Sequence, residues 1–216
     1  MRTEKIILLA VLLLVVVVGG FRYKKSKKEY RIFFFLMVIT FITEILAEFC
    51  AVRYRNNLMV YNLFNIVESV LLSFFYISLF NKNWLKKLAA IVLAAFLLFA
   101  IFNILYLQKN QLATNSIIFE SLFIVVYSLA LLFQYLGQTG DENLLTKPAL
   151  WFNIRNLFFF ATNLFFWGYY RKMMGENKPA LRSFYEIIYY ENLILYLVVA
   201  AGFWLIGNRR SFSNSD

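Results

Sequence analysis

Apolar residues come along this chain in seven long runs, each closed by a short break rich in basic or amide side chains. About twenty apolar residues in a helix cross a hydrocarbon layer about 30 Å thick. The pattern predicts membrane-spanning helices over about 6–21, 31–52, 58–80, 85–107, 112–136, 149–170 and 184–206. The predicted breaks fall at 53–57, 81–83, 108–111, 137–147 and 175–183. Pro148 and Pro179 sit where a helix can begin, a place that tolerates proline because its missing N–H is not needed there. The first run is short enough to resemble a signal peptide. The basic stretch behind it, from Arg22 through Lys24, Lys25, Lys27 and Lys28 to Arg31, argues that it stays as a span.

Five of the seven runs are interrupted by side chains that lipid does not welcome. A charged group within a span is costly, and it usually faces the inside of a helix bundle. Helical spacing sorts these positions into stripes. Helix 2 aligns Thr40, Glu44, Ala47, Glu48 and Ala51. Helix 3 aligns Asn62, Asn65, Glu68, Ser69 and Ser73. Helix 5 aligns Ser116, Glu120 and Tyr127, and helix 6 carries Asn156 and Asn163 with Arg155 adjacent. Helix 7 aligns Tyr185, Tyr189, Asn192 and Tyr196, with Glu191 beside them. Threading the helices alternately puts every intramembrane glutamate toward one side. At 1.5 Å per residue, Glu44, Glu120 and Glu191 lie roughly 10–12 Å below that boundary and Glu68 roughly 15 Å. The expected architecture is an all-α polytopic bundle forming a single membrane domain over 1–216. Helices 2, 3, 5, 6 and 7 surround a polar cavity open toward the outer side, and helices 1 and 4 face lipid.

Composition agrees with a membrane protein: the chain is 62% hydrophobic and 20% aromatic, with a mean hydropathy of +0.65. Its net charge of +10 lies mostly in loops, where it fixes topology and meets anionic head groups rather than nucleic acid. With the N-terminus outside, twelve basic residues fall on the inner side, including Arg209 and Arg210, and nine on the outer side, including Arg2. The first loop is the most lopsided and sets the expected orientation, N-outside and C-inside. The single cysteine, Cys50, excludes an internal disulfide. The absence of histidine excludes three-histidine zinc hydrolase sites and histidine-ligated haem. Helix 7 holds no lysine for a retinal Schiff base, and no glycine-rich phosphate loop is present. No cofactor is expected, and catalysis has no motif behind it.

The expected binding set is Glu44, Glu68, Glu120 and Glu191 as carboxylates. Asn65, Asn163 and Asn192 would add neutral oxygens, Tyr189 an aromatic wall, and Arg155 an inner counter-ion. Such a set suits a small cation or protonated amine, bound or transported with or without protons. Glu48 and Glu186 lie near the boundary and have a plainer role in reaching for water. Buried amides also act as interhelical glue, worth about 0.6–2 kcal/mol each. Two other classes fit the same sequence. One is a seven-helix sensor or regulatory subunit that acts through a partner membrane or cytoplasmic protein. The other is a structural bundle or oligomeric pore whose polar layer only fixes packing. The lysine-rich loops and helical spans suit a bacterial cytoplasmic membrane, with the lipid bilayer as the surrounding partner.

Overall fold

The computed structural model describes residues 3–137, 143–176 and 178–207. Arg2, Arg209 and Arg210, which entered the charge count, lie outside the described residues, as does part of the loop expected at 137–147. All described secondary structure is helical. The long helices are α1 (Thr3–Arg22), α2 (Lys28–Tyr54), α3 (Leu58–Leu79), α4 (Asn83–Phe102), α5 (Thr114–Leu136), α6 (Pro148–Glu176) and α7 (Lys178–Trp204). Among the described residues, six segments are long and apolar enough to cross a membrane: Thr3–Lys25, Lys28–Tyr54, Leu58–Leu79, Asn83–Leu107, Thr114–Leu136 and Tyr185–Trp204. Helix α6 is not among them, because Asn153, Arg155, Asn156 and Asn163 interrupt its apolar run.

The break expected at 175–183 is instead helical nearly throughout. Helix α6 continues to Glu176 and α7 already begins at Lys178. Pro179 is the second residue of α7, a first-turn position where the missing N–H of a proline is not needed. Helix α4 ends in a π-turn, Asn103–Leu107, in which the Gln108 amide donates to the Asn103 carbonyl at 2.7 Å.

Helices α1, α2, α3, α5, α6 and α7 close a ring in that order, with α1 packed between α2 and α7. Helix α4 leans on α3 and α5 from outside. The expectation that α1 is peripheral is therefore corrected: α1 is a ring member. Two features allow the fit. Its buried face is apolar and narrow (Leu12, Val15, Gly19), and at Gly19 an added Cβ would meet the Phe34 ring at 2.7 Å. The peripheral place of α4 is as expected.

One end of the ring is filled by phenylalanines from four helices. Phe33 of α2 stacks on Phe152 of α6 with centroids 4.4 Å apart and planes within 9°. Phe75 of α3 and Phe203 of α7 close on this pair at 5.1 and 4.8 Å. All four rings are fully buried. Such clusters add roughly 0.5–1.5 kcal/mol per pair beyond burial itself. Gly202 lets α7 approach this layer: a Cβ there would lie 2.7 Å from Phe152 and 3.1 Å from the Trp151 Cβ. The Phe152 ring is wedged and has no room to swing. Gly202→Ala is expected to lower stability by about 1–3 kcal/mol through overpacking. Gly168→Ala, where nothing lies within 4 Å, should be neutral or raise stability by roughly 0.5–1 kcal/mol. Thermal melts of the two variants in one detergent check both signs.

Candidate functional site

The polar stripe of α3 is the axis of the interior. Asn62, Asn65, Glu68, Ser69, Ser73 and Tyr76 recur at three and four residues, and all are buried. Each buried polar group needs a partner, since leaving one unmet costs about 1–3 kcal/mol. Asn62 anchors the chain between α4 and α5: its Nδ2 donates to the Gln111 carbonyl at 3.0 Å, and its Oδ1 accepts from the Ala113 amide at 2.9 Å. One turn on, Asn65 Nδ2 donates to Glu120 Oε2, and Ser69 Oγ donates to Glu120 Oε1 at 2.6 Å. Glu120 is thereby gripped by two donors from the facing helix.

Farther along α3, the Tyr76 hydroxyl sits 2.6 Å from Ser128 Oγ, donates to Asn153 Oδ1 at 3.0 Å and accepts from Asn156 Nδ2 at 3.2 Å. Asn153 Nδ2 returns to the Ser128 carbonyl at 3.0 Å. This knot locks α3, α5 and α6 together.

Between the two clusters lie Glu68 and Arg155, at 6% and 1% exposure. Glu68 accepts no hydrogen bond from any described residue. Arg155 gives one Nη1 hydrogen to Asn156 Oδ1 at 3.1 Å and lies over the Phe159 ring at 4.3 Å, while its Nε meets no acceptor. Among the described residues it forms no direct ion pair. Asn65 Oδ1 and Ser73 Oγ are also buried without a partner. The centre therefore combines bonded groups that fix geometry with unbonded groups of both charge signs.

No protein-family model matches the sequence, and no curated protein or solved structure matches it either. The chemistry of the site has to be read from its own geometry.

Of the other expected site residues, Glu44 is half-buried and pairs with Lys5 of α1, with the Tyr61 hydroxyl at 3.5 Å. Glu191 is half-buried and bonded to Thr162. Tyr189 lines a pocket at the Glu44 end. Asn192 spends its amide on the Ile188 carbonyl of its own helix at 3.0 Å, and Asn163 is half-buried on α6, two turns beyond Asn156. Neither is drawn into the central cluster. Among the described residues no three carboxylate or thiol groups converge as metal ligands.

Lys5 is absent from the expected site. Its signal was one cation at the edge of an apolar run, and only α1's place in the ring turns it inward. A second unexpected cluster surrounds the π-turn. Asn103 Nδ2 donates to Gln108 Oε1 at 3.0 Å and to Ser116 Oγ at 2.8 Å, and Gln108 Nε2 donates to Thr114 Oγ1 at 2.8 Å. An asparagine inside the apolar run of α4 was the available clue.

Tyr76→Phe removes one donor and leaves Asn153 and Asn156 short of a partner. A loss of about 1–2 kcal/mol is expected. Ser121→Ala, whose hydroxyl bonds only to the Ile117 carbonyl of its own helix, should cost far less. Denaturant melts in mixed micelles measure the difference.

Proposed function

We propose that the chain spans a membrane, a bacterial cytoplasmic membrane in this reading, seven times with its N-terminus outside. Within it, Glu68 binds a small cation or protonated amine in exchange for a proton, as the central step of transport. The observation that carries this role is the contrast between the two deepest carboxylates. Glu120 has two donors bound to it, so its charge is met by fixed dipoles. Glu68 accepts none from the described residues, though it too is buried, at 6% exposure against 1%. One guanidinium stands against these two carboxylates, which leaves one negative charge to be met by a proton or a cation. Glu68 is the group free to accept either.

Access from one side supports the same role. Glu44 is half-buried and, by its place along α2, shallower than Glu68, and its partner Lys5 lines a pocket at that end. The opposite end is closed by the phenylalanine layer. Helix α6 serves as the seventh span: its polar side chains Asn153, Arg155 and Asn156 are buried against neighbouring helices rather than offered to lipid.

Binding of n-butylammonium to the purified protein in nanodiscs, followed in weak buffer, is expected to release one proton per cation. Glu68→Gln should abolish both binding and proton release while the melting temperature holds. Unchanged binding in that variant would remove Glu68 from the role. Topology is checked separately. In a Cys50→Ala background, Asn56→Cys should react with an impermeant maleimide added to intact cells, and Lys82→Cys only after lysis. The reverse pattern would invert the orientation.

A further inference from the structure

The Glu44 end of the bundle opens into a pocket of about 380 Å³ lined by Glu4, Lys5, Leu8, Glu48 and Tyr189. That size suits a small organic molecule, and the lining mixes charged heads with an aliphatic and an aromatic wall. Lys5 is shared between the pocket and the interior: it lines the pocket while its ammonium rests on Glu44. Glu44 in turn holds the Tyr61 hydroxyl and acts on Glu68. The order from outside inward is pocket, Lys5, Glu44, Glu68.

The chain thus displays the chemistry that its outer carboxylate accepts. A primary ammonium on a four-carbon stem is already seated on Glu44, 39 residues away in sequence and on a different helix. The pair is only part-buried, with 19% and 17% of the two side chains exposed, so the ammonium can exchange with another without stranding a dry charge. Both neighbours in the pocket that carry charge of the opposite sign, Glu4 and Glu48, can hold Lys5 or the incoming cation. Tyr189 offers a ring face or edge for the alkyl part or the cation.

The geometry points to this pocket as the access site for a primary alkylammonium, which takes the place of the Lys5 ammonium on Glu44 before passing to Glu68. This rests on the role of Glu68 proposed above and adds the ligand class and the route. No covalent bond changes: one ammonium replaces another on the same carboxylate, and Lys5 swings to Glu4 or Glu48. Lys5 is a tethered competitor, so its removal strengthens binding, which is the opposite of what loss of a merely structural ion pair would do.

The test is n-butylammonium titration of the full chain in phosphatidylcholine–phosphatidylglycerol nanodiscs. Lys5→Met, which keeps the stem and deletes the charge, is expected to bind at least tenfold tighter than the wild type. Lys5→Arg keeps a competing cation and should show no such gain. Glu48→Gln, which leaves the Lys5–Glu44 pair in place and guards against a folding defect in the lysine variants, should bind several-fold more weakly. Equal or weaker binding by a folded Lys5→Met, or unchanged binding by Glu48→Gln, overturns the access site. If Glu68→Gln abolishes binding while Lys5→Met leaves it unaltered, the inner site stands and the route through Lys5 falls. If the wild type and Lys5→Met both fail to bind n-butylammonium, both assignments fall. Repeating the titration with phosphatidylethanolamine in the discs separates the sources of the ammonium. Weaker n-butylammonium binding there assigns the pocket to the lipid head group and equal binding to a free solute, and either result upholds an ammonium site.

Discussion

The grip of Asn65 and Ser69 on Glu120 is the contact on which the interior depends. It joins α3 to α5 through one carboxyl group that accepts from two side chains of the facing helix. In hydrocarbon no water competes for those donors. Once α3 is fixed against α5, the next positions on the same stripe have settled places. Asn62 ties the α4–α5 connection, and Tyr76 reaches Ser128, Asn153 and Asn156. Glu68 is held among these groups yet left out of their bonds.

Much of this was legible as periodicity. A polar side chain in a span has few places to go, so stripes on α3 and α5 at three- and four-residue spacing had to face each other or another polar face. Glu68, Glu120, Asn65 and Arg155 accordingly share the centre. The bounds of the first five helices were equally plain, because charges and amides end apolar runs abruptly, whereas the break expected at 175–183 is nearly all helix. Spacing could not tell which direction an isolated amide would turn. Asn192 bonds its own helix and Asn163 stays half-buried. An asparagine can satisfy itself locally, and a sequence does not distinguish that from a contact across helices.

Lys5 shows a different limit. Helix α1 reads as uniformly apolar, and such a helix is usually placed outside a polar bundle. Its position between α2 and α7 comes from shape: Gly19 admits the rings of Phe34 and Phe203. Lys5 then meets Glu44 because of where α1 is packed. Glu44 thereby gains an ion-pair partner that Glu68 lacks among the described residues.

The phenylalanine layer of Phe33, Phe75, Phe152 and Phe203 has an electrical consequence. Polar side chains occupy the bundle from Lys5 down to Arg155 and Asn156, whereas this layer is wholly apolar and close-packed. A membrane potential falls most steeply where the material is least polarisable. In the transport role proposed for Glu68, the largest share of a membrane voltage would fall over this aromatic packing, beyond the carboxylates. Of the work of about 2.3 kcal/mol per charge per 100 mV, most would then be met in the step past the rings.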